Sequence, residues 1–302
     1  MSGAVPGGAI GRTLREMFDD AGVRGWLHVA ELRRPAARIT VDADEAVLMG
    51  SVYKVPLMVA YCRQVDAGTL DPRHRVTLPP GDRLPGPTGI SLLQDEVSMS
   101  LRDLVVMMMS VSDNAAADAV LRHVGSRAVE ATCRSLGLLR TRIGGGAADT
   151  LRRLVAETGA ESVDAAMARI TDNDRAVPPG VYDPAWATST TPAEMAHLLR
   201  VIWLDEAASP DSCAFMRRTM GLQPWQHRLA SGFPYDDVAV YGKTGTFGAM
   251  RHEAGVVQLA DGRLYTAVVF TQAARADRRL PRADAVVGEA ARAAVEHLRG
   301  AE

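Results

Sequence analysis

The sequence predicts an α/β plus all-α protein, in which an antiparallel sheet built from N- and C-terminal segments carries an inserted helical domain. Three observations lead to that expectation. Alternating, β-leaning runs lie at both ends of the chain, at residues 26–32 and 37–41 and again at 238–241, 254–259 and 264–271. From Ser51 to about Met220 the apolar residues fall mainly at helical spacing. An amphipathic stretch at 283–299 closes the chain as a helix. The expected boundaries are 1–50 and 221–302 for a discontinuous sheet domain and 51–220 for the helical domain. A ligand site belongs in the cleft between them.

In chain order, Ile10, Leu14, Met17, Phe18 and Ala21 repeat at helical spacing and predict a first helix over 10–22. Two strands follow, joined through Arg33-Arg34-Pro35. A third apolar run, 45–49, reaches Gly50, and a helical pattern starts directly after it. Ser51 is therefore expected at a strand-to-helix turn, where serine is a favoured N-cap and backbone N–H groups are free. The helical middle is broken by a Pro/Gly-rich loop at 78–89, by Gly144-Gly145-Gly146 and by Pro178-Pro179-Gly180, with 150–170 reading as helix. Strands return after Phe233-Pro234, and Asp261-Gly262 predicts a hairpin between the last two.

With 302 residues, 47% of them hydrophobic and 23% charged, the chain has the composition of a soluble globular protein with an ample core. A formal net charge of −2 gives no electrostatic case for nucleic acid or for an anionic membrane. No run approaches membrane-spanning length. The N-terminus lacks a cationic start followed by an apolar stretch, so a cytoplasmic location is expected. Cys62, Cys133 and Cys213 are widely spaced, odd in number and in no metal-like pairing, and read as buried thiols.

Three motifs carry chemistry. Lys54 follows Ser51 by three residues, which in a helix places hydroxyl and amine on one face. Such a pair suits a serine nucleophile with a lysine base, beside donors for an oxyanion. Of the 34 cationic residues only Lys54 and Lys243 are lysines. A chain so biased towards arginine keeps lysine where a removable proton is needed. Ser112-Asp113-Asn114 punctuates an apolar helix with three turn-forming residues. Lys243-Thr244-Gly245-Thr246 lies on a predicted strand, where small residues admit a substrate backbone and the cation and hydroxyls suit an anionic group.

In this order and on these elements, the three motifs resemble those of the penicillin-recognising serine enzymes, the class A β-lactamases and penicillin-binding proteins. Thr190-Thr191-Pro192 resembles the class A segment after the Ω-loop, and residues 264–272 its last core strand. The resemblance implies a β-lactamase/transpeptidase-like fold, a small-molecule substrate and no cofactor. It implies that Ser51 is acylated, that Lys54 is its proton partner and that Ser112 passes a proton to the leaving nitrogen. Asn114 would hold the substrate amide, and Lys243, Thr244, Gly245 and Thr246 would bind the substrate, its carboxylate above all. The N–H groups of Ser51 and Thr246 would form the oxyanion hole. Arg228 and Arg251 are candidates to add charge.

One departure matters. The family's Ω-loop glutamate, in Glu-x-x-Leu-Asn, activates the deacylating water, and no such sequence occurs between Leu138 and Thr190. Asp149, Asp172 and Asp174 are the acids available to replace it. Acyl-enzyme formation on Ser51 with β-lactams or similar amides and esters is therefore expected, with deacylation slow. The same residues also suit an intracellular amidase, esterase or acyltransferase, or a non-catalytic acyl-sensor.

Overall fold

The computed structural model describes residues 8–174, 179–185 and 187–300. In chain order it contains α1 (Ala9–Asp20), β1 (Val23–Glu31), β2 (Arg38–Val41), β3 (Val47–Leu48), α2 (Lys54–Asp66), β4 (Arg75–Leu78) and β5 (Val97–Ser100). Then come α3 (Leu101–Ser110), α4 (Asn114–Val124), α5 (Ser126–Ser135), α6 (Ala147–Thr158), α7 (Val163–Thr171), β6 (Ser189–Thr190), α8 (Pro192–Trp203) and α9 (Pro210–Met220). The chain closes with β7 (Ala239–Phe247), β8 (Met250–Gln258), β9 (Leu264–Ala273) and α10 (Pro281–Gly300).

Five strands form one antiparallel sheet in the order β2-β1-β9-β8-β7. The two ends of the chain meet along the β1–β9 pairing, where Trp26 faces Phe270 and Leu27 faces Val269. β8 and β9 turn at Asp261-Gly262, with Gly262 at φ +81° and Arg263 N–H donating to Asp261 Oδ1 at 3.0 Å. Both strands are buried on both faces, as central strands between two helical layers are. Alternate residues serve different cores. Val257 and Val269 pack with Leu14, Phe18, Val287 and Ala291 of α1 and α10. Val256 and Val268 pack into the larger cluster with Leu57, Met108 and Leu198. α2 is buried without interruption from Lys54 to Cys62, which makes it the central helix of that second layer.

Three expectations are corrected. Ser51 is not a helix N-cap: the chain passes through a 3₁₀ turn, Gly50–Tyr53, and Tyr53 precedes α2. The middle of the chain is less uniformly helical, because β4 and β5 form a hairpin and β3 pairs with β6. Residues 150–170 are two helices, because Gly159 at φ +61° ends α6 and Ser162 starts α7 by accepting from Ala165 N–H. The third break survives as a 3₁₀ turn, Pro179–Tyr182, while Pro178 lies outside the described residues, as does the start of the chain before Gly8. Cys62, Cys133 and Cys213 are free and buried. Among the described residues no helix is long and apolar enough to cross a membrane.

Candidate active site

The turn after β3 brings Ser51 to the mouth of a cleft and sends Lys54 inward as the first residue of α2, 0% exposed. Lys54 Nζ donates to Ser112 O at 2.7 Å, Asn114 Oδ1 at 3.0 Å, Ser112 Oγ at 3.3 Å and Asp113 O at 3.4 Å. Ser51 is not among its partners. Burial draws the Lys54 ammonium down to about 7, with the Asp113 charge opposing the fall.

The segment that receives this lysine is itself strained and braced. Ser112 has φ +59°, uncommon for a residue with a side chain. Asp113, fully buried, holds it there by capping α4 through Ala116 N–H and by accepting from Ile90 N–H and Ser91 Oγ. Asn114 Nδ2 reaches Pro85 O at 3.5 Å, so the far wall of the cleft, residues 85–92, is tied to the same junction.

The opposite wall is β7, the edge strand of the sheet. A β-carbon at Gly245 would lie 2.7 Å from Met49 O, and one at Gly50, already at φ +49°, would lie 3.4 Å from Thr246 N. The two backbones therefore touch, which only glycine at 245 permits. Thr244 N–H points away from β8, donating to Gln223 Oε1 at 2.8 Å. Thr246, two residues on, directs its N–H to the same side, towards the Ser51 turn. Lys243 is 0% exposed and donates to Thr244 O at 3.0 Å. Burial, then the nearby charge of Lys54, pushes its ammonium well below the ordinary lysine value.

Of the two candidate arginines, one belongs here. Arg228 donates to Thr246 Oγ1 at 2.8 Å, to Gly245 O at 3.0 Å and to His252 O at 2.9 Å, and pairs with Asp284 at 2.7 Å. Arg251 is turned away, bonded to the carbonyls of Gly248, Met250 and Asp277. It does not line the cleft.

The cleft measures about 400 Å³ and brings Ser51, Ser112, Asn114, Thr244 and Thr246 together. Lys54 and Lys243 approach it from beneath. The sequence reading missed Pro87, Thr88, Val111, Trp225 and His227, which complete the wall. They sit mostly on loops, and only the rarity of tryptophan could have singled one out. Among the described residues lining the cleft there is no carboxylate. Asp149 accepts from Gly146 N–H at 2.9 Å, pairs with Arg152 and lines a separate cavity of about 50 Å³ with Leu48 and Phe247. Asp172 ends α7 and accepts from Asp174 N–H, and Asp174 is exposed.

A family model described as the beta-lactamase enzyme family matches residues 9–298. The beta-lactamase regulatory protein BlaB of Streptomyces cacaoi is 28% identical over 309 residues, covering 95% of this chain and 97% of that protein. Among solved structures, a beta-lactamase from Sphaerobacter thermophilus superposes with a TM-score of 0.77 at 21% identity, over 98% of both chains. An ancestral class A beta-lactamase superposes with a TM-score of 0.76 at 26% identity, over 95% of this chain and 99% of that one.

Proposed function

The chain belongs to the beta-lactamase enzyme family, and from that premise we propose that it forms an acyl-enzyme on Ser51 with β-lactams or similar carboxylate-bearing amides and esters, and releases it slowly. The observation that supports this most directly is the buried Lys54 amine, drawn to about 7, beneath a cleft that joins Ser51, Ser112 and the β7 edge but has no carboxylate among its described lining residues.

In the proposed sequence, neutral Lys54 accepts the Ser51 hydroxyl proton as Ser51 Oγ bonds to the acyl carbon. The oxyanion so formed lies against the N–H groups of Ser51 and Thr246. Ser112 Oγ, 3.3 Å from Lys54 Nζ, passes that proton to the leaving nitrogen as the C–N bond breaks. Asn114 faces the substrate amide, while Lys243, Thr244 and Thr246 face its carboxylate, with Arg228 fixing the Thr246 hydroxyl. Trp225, Val111 and Pro87 offer an apolar wall to the rest of the substrate.

Hydrolysis of the ester also needs a base beside a water; Asp149 and Asp172 are engaged elsewhere, Asp174 is exposed, and none of the three lines the cleft. That favours a second reading, an acyl-sensor whose long-lived adduct is the signal, in keeping with the regulatory relative. Intact mass after mixing with benzylpenicillin distinguishes the readings. The proposal expects one adduct, mapped to Ser51, decaying over minutes or longer and absent in Ser51→Ala. A permanent adduct selects the sensor, and an adduct that survives Ser51→Ala contradicts both.

A further inference from the structure

Glu253 places a carboxylate where a central strand would ordinarily carry an apolar residue. It lies on β8 opposite Thr244 and is 1% exposed. Oε2 accepts from Leu229 N–H at 2.8 Å, and Oε1 accepts from Gln223 Nε2 at 2.7 Å. Both partners are donors, which suits the acceptor-only ionised carboxylate. Burial outweighs the rest and holds the Glu253 carboxyl above its ordinary value, while Leu229 N–H, then Arg228, Gln223 and Lys243, favour the charge.

Gln223 turns its other end on the edge strand, where Oε1 accepts Thr244 N–H at 2.8 Å, and Thr244 O accepts Lys243 Nζ. The place is reserved for the carboxylate, since a β-carbon at Gly242 would lie 2.3 Å from Glu253 Oε1. Lys243 meanwhile faces two other cations, Lys54 from α2 and Arg228 from the loop before β7. Arg228 is already paired with Asp284. Neither Glu253 nor Lys243 has a direct ion-pair partner among the described residues, and an uncompensated buried charge is costly. Across the Thr244 backbone the two compensate each other at a distance.

Resting on the reading of Lys243 as the carboxylate anchor, we propose that Glu253 is its counter-charge, a positioning residue that keeps the anchor cationic beside Lys54 and Arg228. Gln223 holds Glu253 to the same strand, so the anchor's charge and the edge it sits on are set together.

The chain's two lysines make the test direct. With lysine labelled at the ε-carbon with ¹³C, the NMR spectrum has two lysine signals, assigned with Lys54→Arg. In Glu253→Gln, the Lys243 signal is expected to titrate at least one pH unit below its wild-type position. In Gln223→Ala, which loosens the loop but keeps the charge, it stays within a few tenths. An unmoved Lys243 signal in Glu253→Gln overturns the proposal, as does an equal shift in Gln223→Ala, which would make the effect one of packing. Should Glu253→Gln not fold, the wild type decides: its Lys243 signal should show a second, acid-side inflection as Glu253 takes up a proton, and a flat acid limb overturns the coupling. The anchor role fails separately, if benzylpenicillin acylates Lys243→Ala as readily as the wild type.

Discussion

A lysine held without solvent at the first residue of α2 is chemically unlike a surface lysine. Its ordinary value of 10.5 falls to about 7, so near neutrality a large fraction carries a lone pair. Acylation of Ser51 should therefore rise with pH through about 7 as Lys54 loses its proton, and level off above. The same shift has a stability sign. Between about 7 and 10.5 the unfolded chain binds this proton and the folded chain does not, so the stability that burying the Lys54 charge costs below about 7 is recovered as pH rises across that window. Lys54→Arg keeps a charge but removes the neutral form, and acylation by benzylpenicillin should fall by on the order of a hundredfold or more. A wild-type rate in that variant, measured on protein shown by circular dichroism to be folded, would remove the proton-transfer role. Residues of this kind were legible because their chemistry is rare in this chain: two lysines, each in a motif. Glu253 and Gln223 were not, since a lone glutamate on a strand and a glutamine in a loop acquire meaning only when β8 and the loop meet.

At the scale of elements, the region where a deacylating acid was sought is occupied by helix termini. Asp149 reaches back to Gly146 N–H and so serves the start of α6. Replacing it with asparagine or alanine should cost up to about 1 kcal/mol in chemical denaturation and leave the lifetime of the acyl-enzyme unchanged. A lifetime lengthened tenfold or more would return Asp149 to the chemistry. The division of 150–170 into α6 and α7 had local signals, Gly159 and Ser162, which continuous helical spacing on either side obscured. The β4–β5 hairpin and the β3–β6 pair had weaker ones: strands of two to four residues are too short for a period to register. The 3₁₀ turn at Ser51 arises from contact of Gly50 with β7, a tertiary constraint that no local rule contains.

Across the whole molecule, the two chain ends pair to make the sheet, its edge strand forms one wall of the cleft, and the helical layer presents Ser51, Lys54 and Ser112 on the other. That plan was readable from strands at the ends and helices between, because strands so divided make one sheet only when the two ends of the chain pair. Under the proposed function this arrangement would make an ester, and the described residues of the cleft supply no carboxylate for breaking it. The most direct measurement is the time course of a chromogenic cephalosporin mixed with a known amount of enzyme. A burst near one equivalent followed by a slow steady state is predicted, because losing a general base costs roughly a hundred- to ten-thousandfold. Turnover without a burst, at about a hundred per second or faster, would contradict the account.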